Sequence, residues 1–290
     1  MSETTFKLDP QLSLGPVCLK TNNLDQMLSF YRNDFGLNIL RSDGNITLLG
    51  PGEKRSEPML ILDNDAKSTK PPEQSTGLYH FAILVPDRKS LANAYLVLGN
   101  RGVVFDGYAD HLVSEALYLT DPDGNRIEIY ADRPRNEWKF DEGVVQMATQ
   151  PLDIDSLVKE SPNIPKNDHL PFSEGTRIGH VHLKVADLQR SIAFYRDILG
   201  LDLMSYWGSA AFLSAGGYHH HVGMNTWESL GGPPVERVWT GLEYFTIQVG
   251  KNNFSELSSR LADSSVAAGQ GTSQLQILDP DHITLIIHGS

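Results

Sequence analysis

The chain has 290 residues, 40% of them hydrophobic, which suffices for one large domain or two ordinary ones with a sizeable core. Lys plus Arg number 24 against 36 Asp plus Glu, and the net charge of −12 argues against nucleic acid or an anionic membrane as partner, since both call for a basic face. The single cysteine, Cys18, excludes an intrachain disulfide, residues 1–10 lack a basic stretch leading into an apolar run, and no apolar run nears the roughly 20 residues of a membrane helix; the expectation is a soluble, cytoplasmic protein.

Taken in order, the chain repeats. Residues 15–36 and 179–200 align without a gap, sharing Val17/Val181, Leu19/Leu183, Lys20/Lys184 and a Phe-Tyr-Arg run before Gly36/Gly200. Each segment reads as a strand, a polar turn and a helix closed by glycine. Residues 78–85 form a weaker copy, with a helix expected from Asp87 to Leu98 and closed by Gly99 or Gly102. Residues 242–249 form another, with a helix expected from Asn253 to Ala262. Strands broken by Gly and Asp follow each helix, and residues 279–287 mirror residues 121–130.

The chain therefore divides into four βαβββ modules. Two lie in an N-terminal half, 1–131 (about 14–64 and 77–131), and two in a C-terminal half, 176–290 (about 176–227 and 241–289). Residues 64–76 are a polar, Pro-containing connector, and 132–175 form a linker with one short helix expected at Asp153 to Lys159. A linker this long is suited to covering a cleft. One module leaves a face of its curved sheet bare, so the modules should pair and each pair should enclose a cleft, an α+β fold.

The densest local signal runs from His111 to Glu128. Asp121-Pro122-Asp123-Gly124 is a turn between two strands of a hairpin, and alternation puts Arg126, Glu128 and Tyr130 on one face. A carboxylate in mid-strand between isoleucines calls for a partner. Taken alone, Glu128 is more simply a solvated residue paired with an arginine.

The spacing His-x5-Leu-Tyr-x2-Asp-Pro-x-Gly-x3-Glu resembles the signature of type I extradiol ring-cleaving dioxygenases, of the vicinal-oxygen-chelate (glyoxalase, bleomycin-resistance, dioxygenase) superfamily. Ala109, two places before the His, departs from that family's usual string. The module count fits the same superfamily, whose fold pairs βαβββ modules into two open mixed-sheet barrels. The resemblance implies that Glu128 is an iron ligand and that Tyr118 and His111 line the substrate pocket. It also places a ligand on the first strand of a module, at His180 and, in the second module, His80. Modules one and four carry no such residue: their matching places hold Pro16, Glu243 or Tyr244, and Thr284. The set His80, Glu128 and His180 closes only if module two pairs with module three, leaving one with four. Two His and one carboxylate on one face suit Fe(II) with open positions; Mn(II) accepts the same donors.

His182 shares a face with His180 and stands as its rival or as a substrate-pocket residue. The resemblance also places an acid–base His at the start of the strand after Gly217. His220 fits best, with His219 and His221 left open, and for any one of the three a polar strand end is an even alternative. His169, His282 and His288 lack such support and read as structural or surface residues, and Cys18 as buried filler. The implied activity is Fe(II)-dependent extradiol cleavage of catechol or a substituted catechol by O2 to a muconic semialdehyde, as in aromatic hydrocarbon catabolism. The rivals are a glyoxalase-like lyase or isomerase, which usually has a fourth ligand, and a non-catalytic binding protein of the same fold. The partners are a small aromatic diol and O2; a homo-oligomer is compatible with the sequence.

Overall fold

The computed structural model describes residues 6–52, 57–162, 171–262, 268–270 and 273–289. Two eight-stranded mixed sheets carry the helices. One runs in the order Asp202–Tyr206, Ala210–Ser214, Val222–Asn225, Arg177–Lys184, Gly77–Leu84, Arg126–Asp132, Ser114–Thr120, Gly107–Asp110. Its strands thus come from the second and third modules. The other, drawn from the first and fourth, runs Ala268–Gln270, Gln274–Leu278, Thr284–Gly289, Gly241–Val249, Ser13–Thr21, Leu60–Asn64, Ile46–Gly50, Asn38–Asp43. In each sheet the first strands of two modules meet antiparallel at the centre, Gly77–Leu84 against Arg177–Lys184 and Ser13–Thr21 against Gly241–Val249.

The helices follow the sequence signals closely. Asp87 caps Arg88–Asn100 by accepting from Ser90 N at 2.7 Å, and Asp187 caps Leu188–Ala193 by accepting from Arg190 N at 3.0 Å. The two gap-free repeats depart from regular helix in the same place. After Leu28 and after Ala193 the chain widens into a π-turn, Ser29–Asp34 and Phe194–Ile198, through the shared Phe-Tyr-Arg run. Gly36 and Gly200 then leave at φ of +88° and +85°, which a side chain would strain.

The π-turns aim a buried tyrosine across the molecule. Tyr31 donates to Asp121 Oδ2 at 2.7 Å, and Tyr195 donates to Asp279 Oδ2 at 3.1 Å. Each aspartate's other oxygen accepts two backbone N–H groups of its own turn, Asp123 N and Asn125 N in one case and Asp281 N and Ile283 N in the other. These bonds link module one to two and three to four, so each sheet is tied to the other.

The linker holds the expected short helix, Ile154–Val158, capped by Asp153. It also holds a two-residue-per-strand hairpin, Phe140–Asp141 with Val144–Val145, that the polar sequence did not signal. Trp138 and Val145 bury themselves with Val113 and Met204, pinning this segment against the first sheet. No described helix is long and apolar enough to cross a membrane. His169 lies outside the described residues.

Candidate metal centre and cavity

The strand register builds the site. His180 pairs with Ala82 on one side of the central strand, and Ala82 pairs with Glu128 on the other, so the three share a row and a face. Tyr118 extends that row beyond Glu128. Two residues along, and so on the same face, His80 pairs with His182. Ala82 is fully buried and contributes only a methyl group, so a space opens at the middle of the row, rimmed by His80, His180 and Glu128.

The three rim donors converge. His80 Nε2 lies 3.0 Å from Glu128 Oε2, His180 Nε2 lies 3.3 Å from the same oxygen, and the two Nε2 atoms are 3.2 Å apart. All three residues are buried. Among the described residues this is the single group of three or more His, Cys, Asp or Glu with donor atoms this close. Burial would push the Glu128 carboxyl up, but the facing imidazoles outweigh it and hold the group well below the usual carboxylate range. Burial pushes His180 down to about 4 against the pull of Glu128, so the imidazole is neutral at pH 7 and offers a lone pair.

A divalent cation fits this donor set. Donors about 2.1 Å from one ion and at right angles to each other stand about 3.0 Å apart, which matches the separations observed. A buried carboxylate and inward-facing imidazole nitrogens are also the N/O set that such ions take.

The remaining candidates surround a cavity of about 560 Å³. His80, Glu128, His182, His220, His111 and Tyr118 all line it. The ring of His220 packs on that of His180 with centroids 4.1 Å apart, and burial holds its pKa well below the ordinary value. Of the three consecutive histidines it alone lines this cavity. His219 turns away, bonding Asp132 Oδ1 at 3.0 Å through Nε2 and His220 Nδ1 at 2.7 Å through Nδ1. His221 is also outside the lining, its Nδ1 3.0 Å from Ser214 Oγ. His182 is held by Asn225, whose Nδ2 lies 2.9 Å from its Nε2, and burial lowers its pKa well below the ordinary value. Gly223 pairs with His182, and a Cβ there would meet its ring at 3.0 Å.

Tyr118 Oη is 2.7 Å from His111 Nε2, while His111 Nδ1 is 2.8 Å from the Ala148 carbonyl of the linker. Burial, then the charge of Glu128, raises the Tyr118 pKa well above its ordinary value, so the phenol keeps its proton. His282 is exposed and His288 half-buried; neither lines this cavity.

Several lining residues carried no signal in the sequence. Met147 and Thr149 come from the linker, Trp207 and Phe212 from a hairpin of the third module, and Trp227 from the loop after Asn225. Asp132, which orients His219, lies just beyond the signature. Repeat alignment marks strand positions but not the hairpins and loops that wall a cleft, and only the small size of Ala82, lying between two candidate donors, could have flagged the space.

Comparison with known proteins gives a consistent picture. The family profile described as Glyoxalase/Bleomycin resistance protein/Dioxygenase superfamily matches residues 13–129 and 177–286. A catechol-2,3-dioxygenase of Bacillus subtilis is 41% identical over 282 residues, covering 94% of this chain and 97% of that protein. A glutathione transferase FosA of Serratia marcescens is 30% identical over 123 residues, 38% of this chain and 79% of that protein. The crystal structure of glyoxalase I from Zea mays superposes with a TM-score of 0.57 at 16% identity, over 96% of this chain and 92% of that one, a likeness of fold. The superfamily profile together with these relatives spans more than one chemistry, so the site has to decide between them.

Proposed function

We propose that this chain, which belongs to the Glyoxalase/Bleomycin resistance protein/Dioxygenase superfamily, is an extradiol dioxygenase that opens a catechol ring beside its two hydroxyls with O2. One observation carries the reading beyond the likeness to the B. subtilis enzyme. Two imidazole nitrogens and one carboxylate oxygen converge, and two of the three residues, His80 and Glu128, line the cavity. Three protein donors leave positions open for two substrate oxygens and for O2.

His80, Glu128 and His180 would hold Fe(II), which supplies a place where the diol and O2 meet and exchange electrons; Mn(II) suits the same donors. Modules two and three would thus share the metal, and modules one and four would form a sheet without one. The Glu128 carboxylate and the neutral His180 imidazole set the charge among the converging donors. Tyr118, with its proton kept and its oxygen against His111, is placed to bond a substrate oxygen and orient the ring. His220, neutral and packed on His180, is placed to take a proton from the diol side and return it. His182, anchored by Asn225, packs against His80 and supports the wall beside the ring. The carbon–carbon bond next to the diol breaks, both atoms of O2 enter the product, and a muconic semialdehyde results.

The test is O2 consumption by the Fe(II)-loaded chain with catechol. One O2 per ring-opened product is expected. Turnover of a glutathione hemithioacetal without O2 uptake would overturn the reading in favour of an isomerase.

A further inference from the structure

We propose, resting on that reading, that the preferred substrate is a catechol bearing a bulky, uncharged, apolar substituent, and that Trp207 and Trp227 select it. The cavity of about 560 Å³ is far larger than catechol needs. A cavity of roughly 150 Å³ already holds a benzene ring, and cavities of this size class enclose drug-sized ligands.

The lining divides by chemistry. The polar groups that suit a diol gather beside the converging donors: His80, Glu128, Tyr118, His111, His182 and His220. From there an aromatic wall leads outward. Phe212 packs on His220 at 5.0 Å and on His182 at 5.7 Å, and Trp207 packs on Phe212 at 5.0 Å. Trp227 packs on His182 at 5.8 Å and on Tyr79 at 5.3 Å. Val113 of the second module and Met147 of the linker also line the cavity.

Trp227 is held rather than loose. Trp227 Nε1 donates to Ser209 Oγ at 2.9 Å and its backbone N–H donates to Asn225 Oδ1 at 3.1 Å. Trp207 is 41% exposed and Trp227 49%, and both line the cavity, so part of their apolar surface is open to a ligand there.

Charge disfavours an anionic substituent. Arg126 is the one lysine or arginine lining the cavity among the described residues. Its Nη2 donates to Glu228 at 2.8 Å and its guanidinium lies over the Tyr79 ring, while Asp106 adds a negative group nearby. A carboxylate on the substrate would compete with Glu228 for Arg126 and would share the cavity with the negative Asp106.

The experiment is a substrate ladder on the Fe(II)-loaded chain, comparing catechol, 4-methyl-, 4-butyl-, 4-hexyl- and 4-phenylcatechol and 3,4-dihydroxybenzoate. The expected kcat/KM rises by about two- to fourfold per added methylene while the chain stays within the wall, and 3,4-dihydroxybenzoate falls at least tenfold below catechol. Trp207→Ala and Trp227→Ala each lower kcat/KM for 4-hexylcatechol at least tenfold more than for catechol. A second readout is independent of turnover: under anaerobic conditions 4-hexylcatechol quenches tryptophan fluorescence at lower concentration than catechol, and either variant weakens the preference. A flat ladder, or one led by 3,4-dihydroxybenzoate, overturns this inference while leaving extradiol cleavage intact. Failure of every catechol to consume O2 overturns the functional reading itself, and with it the inference.

Discussion

Tyr118 Oη sits 2.7 Å from His111 Nε2. The other His111 nitrogen faces the Ala148 carbonyl at 2.8 Å, and a carbonyl only accepts, so Nδ1 donates there and Nε2 is left to accept from the phenol. The linker backbone thereby fixes the direction of a hydrogen bond beside the candidate metal site. Tyr118→Phe is expected to lower kcat by about 10- to 100-fold, the scale of a lost positioning group. Bound iron should remain at the wild-type level. Steady-state O2 uptake together with metal analysis checks it.

Ala82 gives a second prediction. It lies between His180 and Glu128 in the strand register and is fully buried. Ala82→Val would put two methyl groups among the three donors. Metal affinity should fall at least tenfold, and overpacking should cost about 1–3 kcal/mol of stability. Iron titration and denaturant unfolding separate the two effects.

Asp279 predicts a pH effect remote from the cavity. Burial raises its pKa to about 7, against the hydrogen bonds of Ile283 N and Tyr195 that lower it. The unfolded chain ionises this group near pH 4. Below pH 4 both states are protonated and stability is unaffected. Between pH 4 and 7 the unfolded state loses the proton first, so this group's contribution declines as pH rises and levels off above 7. Buried His221, held down to about 3, acts in the opposite direction: its contribution is present above pH 6.5 and is lost as pH falls. The difference between chains isolates the aspartate. Asp279→Asn should gain stability relative to wild type as pH goes from 5 to 8, by an amount on the order of a few kcal/mol. Urea unfolding at the two pH values measures it.

The tie between modules gives a fourth prediction. Tyr31 is fully buried and donates to Asp121 Oδ2. Tyr31→Phe removes that bond, although Asn125 Nδ2 still donates to the same oxygen at 2.9 Å. The expected loss is about 1–2 kcal/mol, with O2 uptake unaffected because Tyr31 lies outside the cavity lining. Thermal unfolding and an oxygen electrode test the two halves of that statement.

What the sequence disclosed follows from what repeats. The gap-free match of residues 15–36 with 179–200 gave the strand–helix units, and the signature from His111 to Glu128 gave the hairpin. The absence of donors at Pro16 and Thr284 pointed to modules two and three, and the strand order puts those modules in one sheet. Strand alternation also placed His180 and His182 on one face, but it could not say which turns inward; the bond from Asn225 to His182 comes from a neighbouring strand, out of reach of local pattern. The three consecutive histidines were ambiguous for the same reason. Asp132, 87 residues away, bonds His219, and Ser214, on the preceding strand, bonds His221; neither pairing is marked by local pattern. The π-turns went unseen because a single inserted residue barely disturbs apolar spacing. Trp207 and Trp227 went unseen because loops carry no period.

His80, Glu128 and His180 are proposed to share one ion that serves O2 chemistry. Anaerobic Fe(II) titration of the chain, read by metal analysis and by the shift in thermal unfolding, tests it most directly. Wild type is expected to take up one Fe(II) per chain and to gain about 3 kcal/mol when the metal is at a hundredfold excess over its Kd; Glu128→Gln, folded by circular dichroism, should show neither. Equal iron uptake and an equal thermal shift in the folded Glu128→Gln chain would contradict the account.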